Sequence, residues 1–450
     1  MAGGAHLVAC GEDNSGGIFY VDATAGNNSD SGRSPTSAFR TITHALNFAR
    51  GGADIVVAPG LYSVAGGETF PLNLDSDRHK SIRGAGAGVT TLLDETGASP
   101  AVLQIWGSKQ ISGLSIDRMG TVPCQNCAAV RLDMRGGSHT VVFSDVSLSP
   151  AQPNAWALSA GGDRDASRTS LGTFEAQKLV VDGKGIGRGV NLGTLASVTI
   201  TQSTFNAVVT PAINANDLVR LDAANLTVGV AKIGPDPGLG SDAPAVNVKQ
   251  DNLSGQITTT FIRDTIITFA YAAEDAQKWA VGINKGGAGE LIIERARIDL
   301  SATANSTGIR SDSPTQMTGA TIVDGVFGAA FSRGLVMRAS SFKAQRRAGL
   351  LIDPISGTAY DLGTESAPGG NVFSIGIDAK VDLALMSPGS TGNPTLSVVA
   401  VGNSWSNNRS PCAQGMQWQD VPDGMYQIAV EPTAGAVVQA AGQTCGTIQR

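Results

Sequence analysis

The octapeptide VVFSDVSL (Val141–Leu148) puts apolar residues at 141, 143, 146 and 148. Alternation within each half is the period-2 signature of a strand. The two-residue gap at Ser144–Asp145 reverses the parity, as a corner between two short strands would. The same frame, core–x–core–x–x–core–x–core, fits KQISGLSI (from Lys109), FEAQKLVV (Phe174), VTITQSTF (Val198) and VRLDAANL (Val219). It returns as TFIRDTII (Thr260), LIIERARI (Leu291), ATIVDGVF (Ala320) and LVMRASSF (Leu335), with small or polar residues at some core positions. Between most of these falls a second pattern, a small residue followed by alternating apolar positions. It reads AVRL (Ala129), AWAL (Ala155), GVNL (Gly189), AINA (Ala212) and AVNV (Ala245), then AVGI (Ala280), GIRS (Gly308) and GLLI (Gly349).

Each unit therefore offers about three short strands, and units recur every 20 to 40 residues or so, the range of stacked repeats. A sandwich would need hairpin turns between antiparallel strands, and few are present. The same strand order recurs instead. The expected fold is all-β, a right-handed single-stranded parallel β-helix whose coils bury their inner side chains on one another. One step is out of line: Ala320 to Leu335 is fifteen residues, short for a full coil.

Composition agrees. Among 450 residues there are 57 glycines and only 5% aromatics, which suits many short strands and turns. A hydrophobic content of 42% is enough to bury a large core, so disorder is excluded. The formal net charge is −6 with basic residues scattered, which argues against nucleic acid as a partner. No apolar run approaches the roughly 18 residues of a membrane span.

The stretch FYVDATAGNNSDSGRSPTSAFRTITHALNFARGGADIVVAPGLYSVAGGETFPL (Phe19–Leu72) resembles the N-terminal signature of an uncharacterised bacterial β-helix family, a domain of unknown function in the pectin-lyase-like superfamily. SIRGAGAGVTTLL (Ser81–Leu93) fits it too, and DLGTESAPGGNVF (Asp361–Phe373) with VVAVGNSWSNN (Val398–Asn408) resembles the family's closing signature. The resemblance implies an architecture and no chemistry. Within the signature, TITHALNFA sets Ile42, Ala45, Leu46 and Ala49 on one helical face, a short amphipathic helix suited to capping the first coil. The expected organisation is a remnant lipoprotein signal and tether over 1–16, a cap and first coils over 17–100, coils over 101–410, and a C-terminal cap segment over 411–450.

The cysteines are Cys10, Cys124, Cys127, Cys412 and Cys445. Leu-Val-Ala-Cys at 7–10 resembles a bacterial lipobox, in which the cysteine is lipidated, and the polar Gly/Ser stretch after it has the composition of a tether. Residues 1–9 lack the basic and apolar stretches of a full signal, so the segment reads as a remnant. CQNC (Cys124–Cys127) has no second pair, and none of the four histidines lies near it at zinc-ligand spacing. Cys124, Cys127, Cys412 and Cys445 are expected in disulfides, their pairing open, as in an exported protein. The expected location is the cell envelope, as an outer-membrane lipoprotein that touches the membrane only through its lipid.

Chemistry can sit only on outward positions. In the second pattern these are Arg131, Ala157, Asn191, Asn214, Asn247, Gly282 and Arg310. Asn191, Asn214 and Asn247 would stack about 4.8 Å apart, either as a structural amide ladder or as a rail for sugar hydroxyls. The corners of the first pattern give Asp222, Arg263 with Asp264, Glu294 with Arg295, Asp324, and Arg338. Such an edge could serve a polysaccharide lyase, which needs a uronate carboxylate neutralised by Arg or Ca²⁺ and a base nearby. It could equally serve a glycoside hydrolase, which needs two carboxyl groups. Alternating charges on a solvated edge are more often plain ion pairs. GKGIGRG (Gly183–Gly189) lacks the spacing of a nucleotide loop, and no nucleophile elbow or zinc-protease motif occurs. Trp156, Trp279, Trp405 and Trp418 are possible sugar platforms. The expected function is binding of polysaccharide or an envelope partner without catalysis or cofactor. A lyase or hydrolase on an acidic polysaccharide, with Ca²⁺ for a lyase, is the alternative.

Overall fold

The computed structural model describes residues 16–124, 126–135, 137–161, 171–234, 242–250, 259–270, 278–353, 358–386, 396–406, 410–414, 418–423, 425–430, 436–440 and 443–446. Its strands form one continuous parallel array, wound so that each strand pairs with the equivalent strand of the next coil. This is a parallel β-helix with three faces. The first face runs from Ile18–Val21 through Ala53–Val57 and His79–Arg83 into the first half of Lys109–Met119, and onward coil by coil. Its inward row begins Phe19, Ile55, Ile82, Ile111, Phe143, all buried. The second face carries an equivalent row, Tyr62, Leu92, Ile116, Leu148, Val181 and Phe205. The third face starts at Leu72–Leu74 and Ala101–Trp106 and continues through Ala128–Asp133, Trp156–Gly161 and Arg188–Gly193.

The two sequence patterns have distinct physical causes. The gap in the first is a corner whose second residue is left-handed: Asp145 has φ 56°, and Lys178, Gln202, Asn225, Asp264, Arg295 and Ala339 repeat it. One residue in that region redirects the chain between the first and second faces, so the inward parity flips there. The small residue of the second pattern lies where the third face closes on the second. A Cβ on Gly282 would sit 2.7 Å from Ile298, and one on Gly328 2.4 Å from Phe342. Only glycine fits at these two places, alanine fills the equivalent one on other coils, as at Ala212 and Ala245, and the pattern records that.

The short step is a register error with a simple cause. Thr315 pairs with Leu335, so the frame opens at TQMTGATI with a buried threonine in a core position, and the coil is 335 − 315 = 20 residues. A buried hydroxyl hid the start. In the same way Val198 pairs with Leu221, so the frame read from Val219 begins two residues later.

At the N-terminal end the helix Ile42–Phe48 buries Ile42, Ala45 and Leu46, with Ala49 buried just beyond it. Thr41 caps it by accepting from the His44 N–H. The buried Glu68 carboxylate accepts from the Ile42 and Thr43 N–H groups at 2.7 and 2.8 Å and so satisfies two more first-turn donors. Phe19, Phe39 and Phe48 pack edge-on and face-on beneath it. At the other end the coils run past residue 410. Tyr426–Val430 pairs in parallel with Val381–Leu385, and Ala436–Ala440 with Leu396–Ala400. Among the described residues only Gln443–Gly446 turns back antiparallel. The segment expected as a cap thus supplies further coil strands before it closes the chain.

Cys124 and Cys127 form a disulfide, and Cys412 is disulfide-bonded as well. The Cys445 side chain and Cys10 lie outside the described residues. Of the tryptophans, Trp405 stacks on Phe373 at 4.8 Å, inside the coil, and Trp156 is buried beneath Arg188. Trp279 is half-buried and donates from Nε1 to Thr307, and the Trp418 side chain is outside the described residues. No helix among the described residues is long and apolar enough to cross a membrane.

Candidate functional site

The charged edge is only partly assembled. Arg263, Glu294 and Arg338 do fall in one outward row, through Thr318, with Asp264 and Arg295 at the adjoining corners. Asp222 does not. Because its frame starts at Leu221, it lies opposite Phe261 on the flat of the strand, and the corner of its coil is Ala224–Asn225. Asp324 is displaced too: Thr318 and Gly319 hold that corner, and Asp324 occupies the next one round, where its N–H donates to the Lys343 carbonyl. The side chains are tied to one another. Arg263 donates to both Asp222 oxygens at 2.6 and 2.8 Å, and Arg295 grips Asp264 at 2.6 and 2.9 Å. Arg338 holds Asp361 at 2.7 Å, and Arg346 sits 3.2 Å from Asp324. The hydrogen bonds from Arg295 keep the Asp264 carboxyl below its ordinary range, so it stays ionised. These are surface ion pairs rather than a poised acid and base.

The asparagines stand as expected. Asn191, Asn214 and Asn247 are in register, and Asn284 extends the row. Each amide donates to the one before it: Asn214 to Asn191 at 2.8 Å, Asn247 to Asn214 at 2.8 Å, and Asn284 to Asn247 at 2.9 Å. Reading Gly282 as outward slipped by two residues, since Gly282 faces Ile298 and Asn284 faces out. Ala157 slipped likewise, and Ser159 holds the outward place. The full row is then Asn73, Gln104, Arg131, Ser159, the four asparagines and Arg310.

Beside the N-terminal part of this row lies a cavity of about 400 Å³. Its cause is local. The neighbouring outward row reads Asp133, Gly161, Gly193, Asn216, so two adjacent strands carry no side chain there. A Cβ on Gly161 would meet nothing within 4 Å, and one on Gly193 only the Ala160 carbonyl at 3.9 Å. The missing side chains are the groove. Gln104, Arg131, Ser159 and Asn191 form one wall, and Asp133, Arg135, Asn216 and Asp217 line the rest. Arg135 donates from Nε to Asp133 at 2.8 Å and closes a second contact from its terminal nitrogen. That pairing, with Arg131 adding to it, holds the Asp133 carboxyl below its usual range. Asp133 and Asn216, next to Asp217, are three strand spacings apart, about 14 Å. Among the described residues no aromatic ring lines the cavity, and its walls offer hydrogen-bonding and charged groups. Sequence reading missed Asp133, Arg135, Ser159, Asn216 and Asp217. Extending each quartet of the second pattern by three residues would have exposed the paired glycines.

A separate pair of carboxylates stands on the outer second face. Asp117 pairs with Ser149, and Asp182 follows Val181 on the next strand. Burial pushes the Asp117 carboxyl up, whereas Asp182 is held by Lys184 at 2.5 Å. Among the described residues no group of three or more His, Cys, Asp or Glu is placed to hold a metal ion.

Residues 24–131 match a family model, that of a protein of unknown function (DUF1565). The match covers the capping helix and the first coils, and it is the kind of family that the Phe19–Leu72 signature resembles. No curated protein matches the sequence. Among solved structures, the catalytic domain of a GH87 alpha-1,3-glucanase (D1069A) in complex with nigerose is similar at 10% identity and TM-score 0.45, covering 88% of this chain and 67% of that one. The GH136 lacto-N-biosidase from Eubacterium ramulus is similar at 10% identity and TM-score 0.43, covering 92% and 68%. Geobacillus virus E2 ORF18 follows at 10% identity and TM-score 0.39, covering 82% and 61%.

Proposed function

We propose that this β-helix binds polysaccharide along the groove of its third face and leaves it intact. The observation that carries the reading is the groove itself, open where Gly161 and Gly193 leave two strands bare and walled by amide, hydroxyl, guanidinium and carboxylate groups. Those are the partners that sugar hydroxyls use, and they stand at the regular spacing that a repeating polymer can follow. Arg135 keeps Asp133 ionised, so it serves as an acceptor and not as an acid.

The test fills the groove. Gly193→Leu adds a side chain into open space, so the fold should survive with an unchanged melting temperature. Binding of the wild type to a panel of neutral and acidic polysaccharides, measured by affinity electrophoresis, should show at least one ligand. Its affinity should fall at least tenfold in Gly193→Leu, and no reducing ends should be released. Wild-type binding by the filled variant would overturn the reading, and so would silence across the panel.

The same proposal places the protein outside the cytoplasm, held to the envelope by a lipid on Cys10. Support comes from the Cys124–Cys127 disulfide and the bonded Cys412, which suit an oxidising compartment. Expressed from its native gene in a bacterium fed labelled palmitate, the protein should take up label and Cys10→Ser should not. An unlabelled wild type would remove the anchor from the proposal.

A second reading, hydrolysis, has Asp117 and Asp182 in its favour. Two strand spacings set their backbones about 10 Å apart, from which side chains can span the roughly 6.5–9.5 Å of an inverting pair. Their environments differ in the required sense, one carboxyl pushed up by burial and the other tied to a lysine. Steady release of reducing ends from any polymer, abolished in Asp117→Asn, would establish it in place of simple binding.

A further inference from the structure

Three donors in the groove have no partner among the described residues. The exposed Arg131 guanidinium makes no hydrogen bond or ion pair among the described residues, unlike Arg135 four residues on. The Ser159 hydroxyl makes none either, and Asn191 uses its Oδ1 to accept from Asn214 while its Nδ2 stays unmatched. The three lie side by side on adjacent strands: Arg131 pairs in register with Ser159, and Ser159 with Asn191. Adjacent strands are about 4.8 Å apart, so the hydroxyl is flanked on either side by the guanidinium and the amide.

The ladder adds direction. All three of its hydrogen bonds point the same way, each amide donating toward Asn191. Amides chained in this sense polarise one another, and their aligned dipoles turn the N–H end toward Ser159 and Arg131. That end of the groove therefore gathers a full positive charge, a hydroxyl donor and the donor end of a four-amide chain. Asp133, in the adjoining outward row, is already paired with Arg135.

We infer that Arg131, Ser159 and Asn191 form an oxyanion subsite that selects glycans carrying an acid group, a uronate carboxylate or a sulfate ester. The inference rests on the groove being a glycan site and adds which glycans it prefers. Arg131 offers a charge-assisted, two-pronged contact to a planar carboxylate, and Ser159 and Asn191 take up its remaining lone pairs.

The experiment compares matched polymers. Alginate and hyaluronate are each set beside their carboxyl-reduced forms, and dextran sulfate beside dextran, with affinities measured at 50 and 200 mM salt. The wild type should bind at least one acidic polymer about tenfold more tightly than its neutral partner, and only the acidic complex should weaken with salt. The uronate and sulfate arms show which acid group is taken. Arg131→Gln should bring acidic binding down to the neutral level. Asn191→Asp still accepts from Asn214 but replaces the donor with a carboxylate, and it should erase the preference as well. Both variants should melt as the wild type does, since Arg131 is exposed and the ladder bond to Asn191 persists. Equal binding of acidic and neutral members in every pair would overturn the oxyanion subsite and leave glycan binding standing. An acid preference that survives Arg131→Gln would overturn it too. No binding of any polymer would overturn both readings together.

Discussion

One outward row of the third face crosses the whole molecule, and its two halves have opposite characters. From Asn73 to Arg310 it is polar and, apart from the buried Asn247, at least partly exposed, with a cavity beside its N-terminal part. From Ala330 it continues in register as Leu351, Ala384 and Ala429, and these last three are buried although they point away from the coil. Their cover is a later part of the chain. Val421, just after the turn Trp418–Asp420, packs on Leu351, Ala384 and Ala429 with Phe327 and Tyr426 alongside, and Lys380 pins the segment through Asp423 at 2.8 Å. The comparison teaches that outward on a solenoid does not mean solvent-facing. The same backbone presents a binding face where nothing covers it and a second small core where a strap does.

The largest effect should come from putting a charge into each half. Leu351→Asp buries an unpaired carboxylate under the strap and should cost about 4 kcal/mol in urea unfolding. Ser159→Asp, in the same row but open, should stay within about 0.5 kcal/mol. Equal costs would break the contrast.

The boundary between the halves can be sharpened by pH. On the strand Trp279–Gly287, Asn284 ends the ladder outside while Lys285 points inward, fully buried, with its ammonium on the Gly286 and Ala288 carbonyls at 3.1 and 2.7 Å. Burial lowers its pKa to about 8, against an opposing pull from Asp312. The unfolded chain titrates near 10.4, so between these values it binds the extra proton and stability rises with pH. Below pH 8 the full penalty applies. Lys285→Met should abolish that rise and add up to roughly 3 kcal/mol at pH 7. A flat wild-type profile from pH 8 to 10.4 would show that the lysine escapes to solvent.

A smaller effect separates the ladder from the groove it borders. Asn247 is 2% exposed and both accepts and donates within the row. Asn247→Ala would leave Asn214 and Asn284 each short of a partner and should cost about 2 kcal/mol. Asn73→Ala, at the exposed end of the row, should change stability by no more than a few tenths. If the two cost the same, the ladder holds nothing together.

How far the sequence carried can be judged residue by residue. The corner frame and the small-residue pattern were legible because each answers a fixed steric demand, the left-handed turn at Asp145 and the contact of Gly328 with Phe342. The asparagine row was legible because stacking repeats one residue type. Register failed where a polar residue took a core place, at Thr315, and that moved Asp324 off the edge where the pattern had put it. The groove escaped notice because its makers are absences, two glycines on neighbouring strands. The covered half could not be read at all, since whether Leu351 is wet depends on Val421, seventy residues later in the chain.

The Cys124–Cys127 bridge spans only three positions in sequence, within the bend that leads into Ala128–Asp133. It fastens a bend and ties no coil to another. Each coil is otherwise held chiefly by its two neighbours, so a molecule pulled from its N-terminal end would not resist as a block. It would pay out length coil by coil, as a rope uncoils from a drum, and the bridge would withhold no more than its own short loop from the extension.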